Sequence, residues 1–284
     1  MIVKKEKLLR PDWTKRHFKS DNRLDLSFNV CIDRYINYKF NPNQFAEASK
    51  CYDILANYHN VSPYNIAIGF GISDLINRVV QFCALNNLGL DIFGNSCKAV
   101  KGYKDAYRVE SGKDVAYVAS HNGNDGSILM LDQVDTLCDE YQWVMLDEAY
   151  SDFYPIKYND RNNLIRFKTM TKSLPLPGIR FGWCYGNNYF IKQIQDLRHA
   201  HHCIGDVENQ LPNMLGEIPF HVERMLETKS IIESEYDCRE THGNYVLINN
   251  YSDIDKTIAT RKGRMALCDK ETWYENKPHS ENRN

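Results

Sequence analysis

The strongest constraint on the fold is a rhythm in the middle of the chain: short, unbroken apolar runs separated by stretches of helical spacing. Residues 66–68, 115–119 and 143–146 are such runs, and 164–167 and 179–185 read as two more, each interrupted by one arginine. A strand that is apolar at every position must be buried on both faces, since half-exposed strands alternate. Between these runs, the apolar spacing of Leu75, Ile76, Val79, Val80 and Phe82 predicts a helix, as do residues 130–141 and 190–201. Strand and helix in alternation predict an α/β fold of three layers, with a mainly parallel central sheet covered on both sides.

The flanks differ. Residues 22–65 alternate short apolar pieces with Asn, Asp, Tyr and Pro, and only 44–58 has helical periodicity, ending before a Val61-Ser62-Pro63 turn. After Gly205, helical segments over 206–214 and 219–235 precede strand-like pieces at 245–248 and 264–267. These features predict a smaller α+β domain. The expected division is an N-terminal segment 1–50 that joins the small domain and a dimer contact, a large domain 51–205, and a small domain with a polar tail, 206–284.

A chain of 284 residues is long enough for this arrangement, and 43% hydrophobic with 25% charged residues is an ordinary globular balance. A formal net charge of -2 argues against a general binder of nucleic acid or anionic membrane. No run approaches the roughly 20 apolar residues of a membrane span. The basic start leads into Arg10-Pro11-Asp12 rather than an apolar segment, unlike a secretory signal. Nine scattered cysteines without a C-x-x-C pair read as reduced thiols of a cytoplasmic protein, and no metal site is expected. The His199, His201, His202 and Cys203 group reads as a helix surface or subunit contact.

Chemistry concentrates where runs end. Asp147 closes an apolar strand, where ligands of parallel sheets sit and where a buried carboxylate can hold a protonated heterocyclic nitrogen. It can equally be an N-cap or a strand-end ion pair. Tyr150 follows three residues later. Lys172 sits among hydroxyls and apolar residues in Thr169-Met170-Thr171-Lys172-Ser173, where it reads either as a Schiff-base nucleophile or, taken alone, as a surface lysine. Eight residues on, Gly178-Ile179-Arg180-Phe181-Gly182 places an arginine in an apolar run, where pairing with phosphate would justify it. Gly69-Phe70-Gly71-Ile72-Ser73-Asp74 links a strand to a helix whose first N–H groups suit an anion. It lacks the full dinucleotide fingerprint, because Asp74 stands where the third glycine would be.

Together, Asp147-Glu148-Ala149-Tyr150, the Thr169 to Lys172 loop, the Arg180 segment and the run 69–76 resemble fold-type I pyridoxal-phosphate enzymes. Within the class I/II aminotransferases, the resemblance is to the histidinol-phosphate aminotransferase and threonine-phosphate decarboxylase branch. It implies pyridoxal 5'-phosphate as cofactor, held as an aldimine on Lys172. It implies that Asp147 pairs with the ring nitrogen and Tyr150 hydrogen-bonds the ring oxygen. Arg180, Thr169 and the amides around Ile72 and Ser73 would hold the phosphate. Arg264, in Gly263-Arg264-Met265-Ala266-Leu267, matches the substrate carboxylate clamp, and Asn29 a segment crossing the substrate mouth. Tyr38 matches a tyrosine that reaches the neighbouring subunit's phosphate in a homodimer.

Three features depart from the family. The asparagine-rich turn appears as Ser120-His121-Asn122-Gly123-Asn124-Asp125-Gly126, so the ring-contacting asparagine falls on Gly123, with Asn122 or Asn124 as its replacement. The position of the ring-stacking aromatic falls on Cys97, with Tyr103 as a substitute. Deletions lie between Tyr107 and Val115 and before Arg264. The leading expectation is amino transfer between an amino acid or phosphorylated amine and a 2-oxo acid. Decarboxylation, racemisation or elimination at Cα, and an impaired cofactor-binding homologue, are the alternatives.

Overall fold

The computed structural model describes residues 24–25, 38, 40, 47–94, 98–198, 206–250, 258–259 and 264–276. In chain order the elements are β1 (Leu24–Asp25), α1 (Ala48–His59), β2 (Ile66–Gly69), α2 (Ile72–Asn86), β3 (Leu90–Ile92) and α3 (Lys98–Tyr107). Then come β4 (Val115–Ala119), α4 (Leu131–Glu140), β5 (Trp143–Asp147), β6 (Leu164–Thr169), β7 (Gly182–Tyr185) and α5 (Asn188–Asp196). The remainder is α6 (Val207–Glu235), β8 (Cys238–Arg239), β9 (Tyr245–Ile248), β10 (Ile258–Ala259), β11 (Arg264–Ala266) and α7 (Lys270–Asn276).

The central sheet has six strands in the order β2-β7-β6-β5-β4-β3. The pairs β3–β4, β4–β5 and β5–β6 are parallel, and β7 runs antiparallel to both its neighbours. Helices cover both faces, which explains why these strands read as continuous apolar runs. The period of two along β4 sorts its side chains: Val115 and Tyr117 join one buried cluster, Ala116 and Val118 another. On the first face Tyr117 meets Met145, Ile165 and Phe167, with α2 and α5 packed over them.

A smaller antiparallel sheet, β11-β9-β8, completes the fold. A third buried cluster joins it to the large sheet: Ile66, Ile68, Phe181 and Trp183 share a core with Val246, Ile248, Met265 and Trp273. Helix α6 runs through this junction as one helix of 29 residues, although it contains Pro212 and Pro219. Two separate helices were expected there. A continuous buried stripe of Leu211, Met214, Leu215, Ile218, Val222 and Met225 offsets the backbone bonds that the prolines remove. Among the described residues, no helix is long and apolar enough to cross a membrane.

Two boundaries move from their expected places. The run 179–185 is strand only from Gly182, because Pro177–Ile179 forms a 3-10 turn and Arg180 takes a left-handed conformation at φ 48°. The helix expected over 190–201 ends at Asp196.

Candidate active site

The site forms where β4, β5 and β6 end. Four buried residues bring β5 to Asp147, which pairs in register with Ala119 on one side and Phe167 on the other. Its Oδ1 accepts the amide of Ala149 at 3.0 Å, which turns the chain sharply, and its Oδ2 accepts the hydroxyl of Tyr117. Burial pushes the Asp147 carboxyl above the usual range, opposed by the Tyr117 hydroxyl, the Ala149 amide and the positive charge of Lys172. The adjacent Glu148 is 2% exposed and points away, into a bidentate pair with Arg166 at 2.8 and 2.6 Å.

Lys172 lies in the turn after β6, half-buried, and its backbone carbonyl accepts the Asn244 side-chain amide at 3.2 Å. Its Nζ lies 5.4 Å from the centre of the Tyr150 ring. The Tyr150 hydroxyl in turn rests on Gly123, where an added Cβ would lie 3.0 Å from it. A side chain at 123 would therefore crowd Tyr150, whose ring would have to give by a few tenths of an ångström.

A second corner is made by β2, α2 and the approach to β7. Gly71 caps α2 with φ 77°, leaving the first helical N–H groups, those of Ile72 and Ser73, facing outward along the helix axis. The Arg180 guanidinium sits against it: an added Cβ on Gly71 would lie 2.9 Å from Nη2. Gly182 must also lack a side chain, since its Cβ would lie 2.7 Å from Ile72 N. The left-handed turn at Arg180 brings its exposed side chain back over the helix start. Helix N-terminus and guanidinium form an anion cradle. Thr169 holds the loop in place, donating its hydroxyl to the Phe181 carbonyl at 2.9 Å and accepting the Thr171 amide at 3.3 Å.

The small sheet supplies the far wall. Arg264 on β11 donates from Nη1 to the Gly123 carbonyl at 2.6 Å, with its guanidinium carbon 6.0 Å from the Tyr245 ring centre. Tyr245 donates to the Asn122 carbonyl at 2.7 Å and meets Tyr150 edge-on. Asn122 is absorbed by its own turn: Nδ2 donates to Asp125 at 2.6 Å and Oδ1 accepts the Asn124 amide at 3.1 Å. Asn124 is exposed.

Residues 94–237, half of the chain, match the family model described as aminotransferase class I and II. The chain belongs to the class I and II aminotransferase family. Histidinol-phosphate aminotransferase of Pyrococcus furiosus is 27% identical over 54% of this aminotransferase-family chain, which spans about half of that relative's length, 52%. The histidinol-phosphate aminotransferase of Clostridium acetobutylicum superposes with a TM-score of 0.71 at 15% identity, covering 89% of this chain and 96% of that one. That of Sinorhizobium meliloti, solved in complex with pyridoxal-5'-phosphate, gives 0.65 at 16% identity, covering 81% and 80%. Fold-type I architecture is thereby shown for this family chain, with its mostly parallel large sheet and smaller antiparallel one.

Of the expected site residues, Tyr150 and Arg264 meet at Gly123, Lys172 lies beside the Tyr150 ring with its charge acting on Asp147, and Arg180, Ile72 and Ser73 meet at the anion cradle. Tyr38 of this aminotransferase chain donates to Glu217 on α6 within the same chain. Asn29 and Cys97 lie outside the described residues. Three contributors escape sequence reasoning: Tyr117, Tyr245 and the Glu148–Arg166 pair. Tyr117 left a signal, as a hydroxyl in the centre of the buried run 115–119.

Proposed function

We propose that this chain is a pyridoxal-phosphate-dependent aminotransferase that moves an amino group between an amino acid or phosphorylated amine and a 2-oxo acid. The observation that supports this best is the meeting of Lys172, Asp147 and Tyr150 at the strand ends, beside an anion cradle made by Arg180 and the start of α2. The residues fit the cofactor. The cradle exists only because Gly71 and Gly182 have no Cβ, and it suits a phosphate. Asp147 is a buried carboxylate with its charge disfavoured, which a protonated ring nitrogen would restore.

When bound, the cofactor supplies an electron sink for the bond broken at the substrate Cα. Lys172 would hold the cofactor through its amine, and its Nζ is the group that would move the proton at the substrate Cα. Tyr150 offers its hydroxyl to the ring oxygen, and the glycine at 123 lets it approach. Arg264 offers a fork for a substrate carboxylate, from a strand of the small sheet. Its bond to the Gly123 carbonyl fixes the guanidinium across the mouth. Tyr245 and Tyr150 meet edge-on where the two walls approach. The large domain 51–205 would then hold the cofactor and the small domain 206–284 the substrate, in a cytoplasmic homodimer.

Purified protein supplied with pyridoxal 5'-phosphate is expected to gain a visible absorbance band that K172A lacks. With an amino donor and no acceptor, that band should convert to the amine form of the cofactor, with release of an oxo acid. Carbon dioxide release with the band retained would replace transfer by decarboxylation. A wild-type chain that stays colourless would overturn the reading.

A further inference from the structure

We propose that Tyr117 is a positioning residue of this site, whose hydroxyl holds the Asp147 carboxylate ionised and fixed in rotation for a cation bound beside Lys172. Only the identity of that cation, the protonated ring nitrogen, rests on the function proposed above.

Tyr117 occupies the middle of β4 and is 2% exposed. Its ring packs in the cluster that contains Met145 and Phe167, which a phenylalanine would fill equally well. The hydroxyl is therefore the informative part, because burying it is costly without a partner. The strands supply that partner by register. Tyr117 pairs with Met145, and Asp147 lies two residues further along β5, on the same face. From there the hydroxyl donates forward to Oδ2 while the Ala149 amide donates to Oδ1 at 3.0 Å. One donor on each oxygen favours the charged form and stops the carboxylate from turning. The charges facing it are Lys172, which attracts, and Glu148, which repels but is itself tied to Arg166.

The direct test uses protein without cofactor. With carbon-13 in the aspartate carboxyls, the Asp147 signal is identified by its loss in D147N and followed against pH. In Y117F, which keeps the ring, the midpoint is expected to rise by about one pH unit, a tenfold change in ionisation constant. An unmoved midpoint in folded Y117F would overturn the proposal. Should Y117F not fold, wild-type protein labelled at the tyrosine Cζ decides. The Tyr117 signal should shift with the Asp147 midpoint, and a flat trace would refute the link.

Cofactor binding gives the second readout. Y117F should weaken it roughly tenfold in the wild-type background and leave it unchanged in a D147N background, as required of a residue that acts through Asp147. Equal losses in both backgrounds would mean that Tyr117 acts by packing. Failure of the wild type to take up cofactor would remove the functional reading, while the carboxyl titration would still decide this one.

Discussion

The two walls of the site are built differently. On the large-sheet side, Asp147 and Lys172 stand at or just after strand ends, and each is fixed by bonds to neighbouring strands or loops. On the small-sheet side, the turn 120–126 satisfies itself through Asn122 and Asp125, and Arg264 reaches it from another sheet. A strand end inherits its position from the sheet, so a side chain there has little freedom to lose. A turn that spends its polar groups on its own backbone has fewer to offer a ligand. The large-sheet wall should therefore govern cofactor retention and chemistry, and the small-sheet wall substrate affinity.

The largest effect should come from the first wall. D147A is expected to lower kcat/KM by about 10²–10³-fold, with weaker cofactor binding, as for loss of a preorganised charge. Steady-state kinetics with absorbance titration checks this, and unchanged cofactor affinity would break the comparison. R264A should act on the other term. KM for a carboxylate substrate should rise on the order of tenfold or more, with cofactor affinity intact and only partial rescue by R264K. A loss of cofactor from R264A would erase the distinction between the walls.

Two buried histidines, one behind the large sheet and one in the turn 120–126, set the response of stability to acid. His59 accepts the Trp183 indole N–H at 2.7 Å and stacks on Tyr185, and burial pushes its pKa down to about 3. Burial likewise pushes His121 down to about 4. Both stay neutral when folded, whereas the unfolded chain takes up protons below its ordinary histidine pKa of about 6.5. Stability is thus fully present above that pH and falls as pH drops toward 4, by about 1.4 kcal/mol per pH unit for each histidine as an upper guide. Urea midpoints at pH 7 and pH 5 check the sign. The smallest effect is expected from N122A, which should cost about 1 kcal/mol of stability through the turn and alter cofactor affinity little. A large loss of cofactor there would give Asn122 a direct role.

How much could be read from sequence follows the same division. Unbroken apolar runs announced β2, β4 and β5, because burial on both faces leaves no other composition, while β6 reads as strand despite Arg166. Asp147 and Lys172 were legible because each closes or follows such a run. Arg180 was legible as a residue but not as a conformation. Its left-handed turn after Pro177–Ile179 depends on the Phe181 carbonyl being held by Thr169, a contact between segments 12 residues apart. Strand β3, only three residues long, and helix α3, with its many charges, gave no strong period. The prolines in α6 suggested a break that the buried stripe prevents. Asn122 and Asn124 could not be separated, since the choice turns on which amide the loop keeps for itself.

The proposed function requires Lys172 to carry the cofactor, beside the Tyr150 ring and within reach of the Asp147 charge. It is tested most directly by borohydride reduction of cofactor-loaded protein, followed by digestion and peptide mass analysis. A single reduced adduct on the peptide containing Lys172, absent from K172A, is the expected result. An adduct on a different lysine, or an unlabelled Lys172 in protein that still transfers amino groups, would contradict the account.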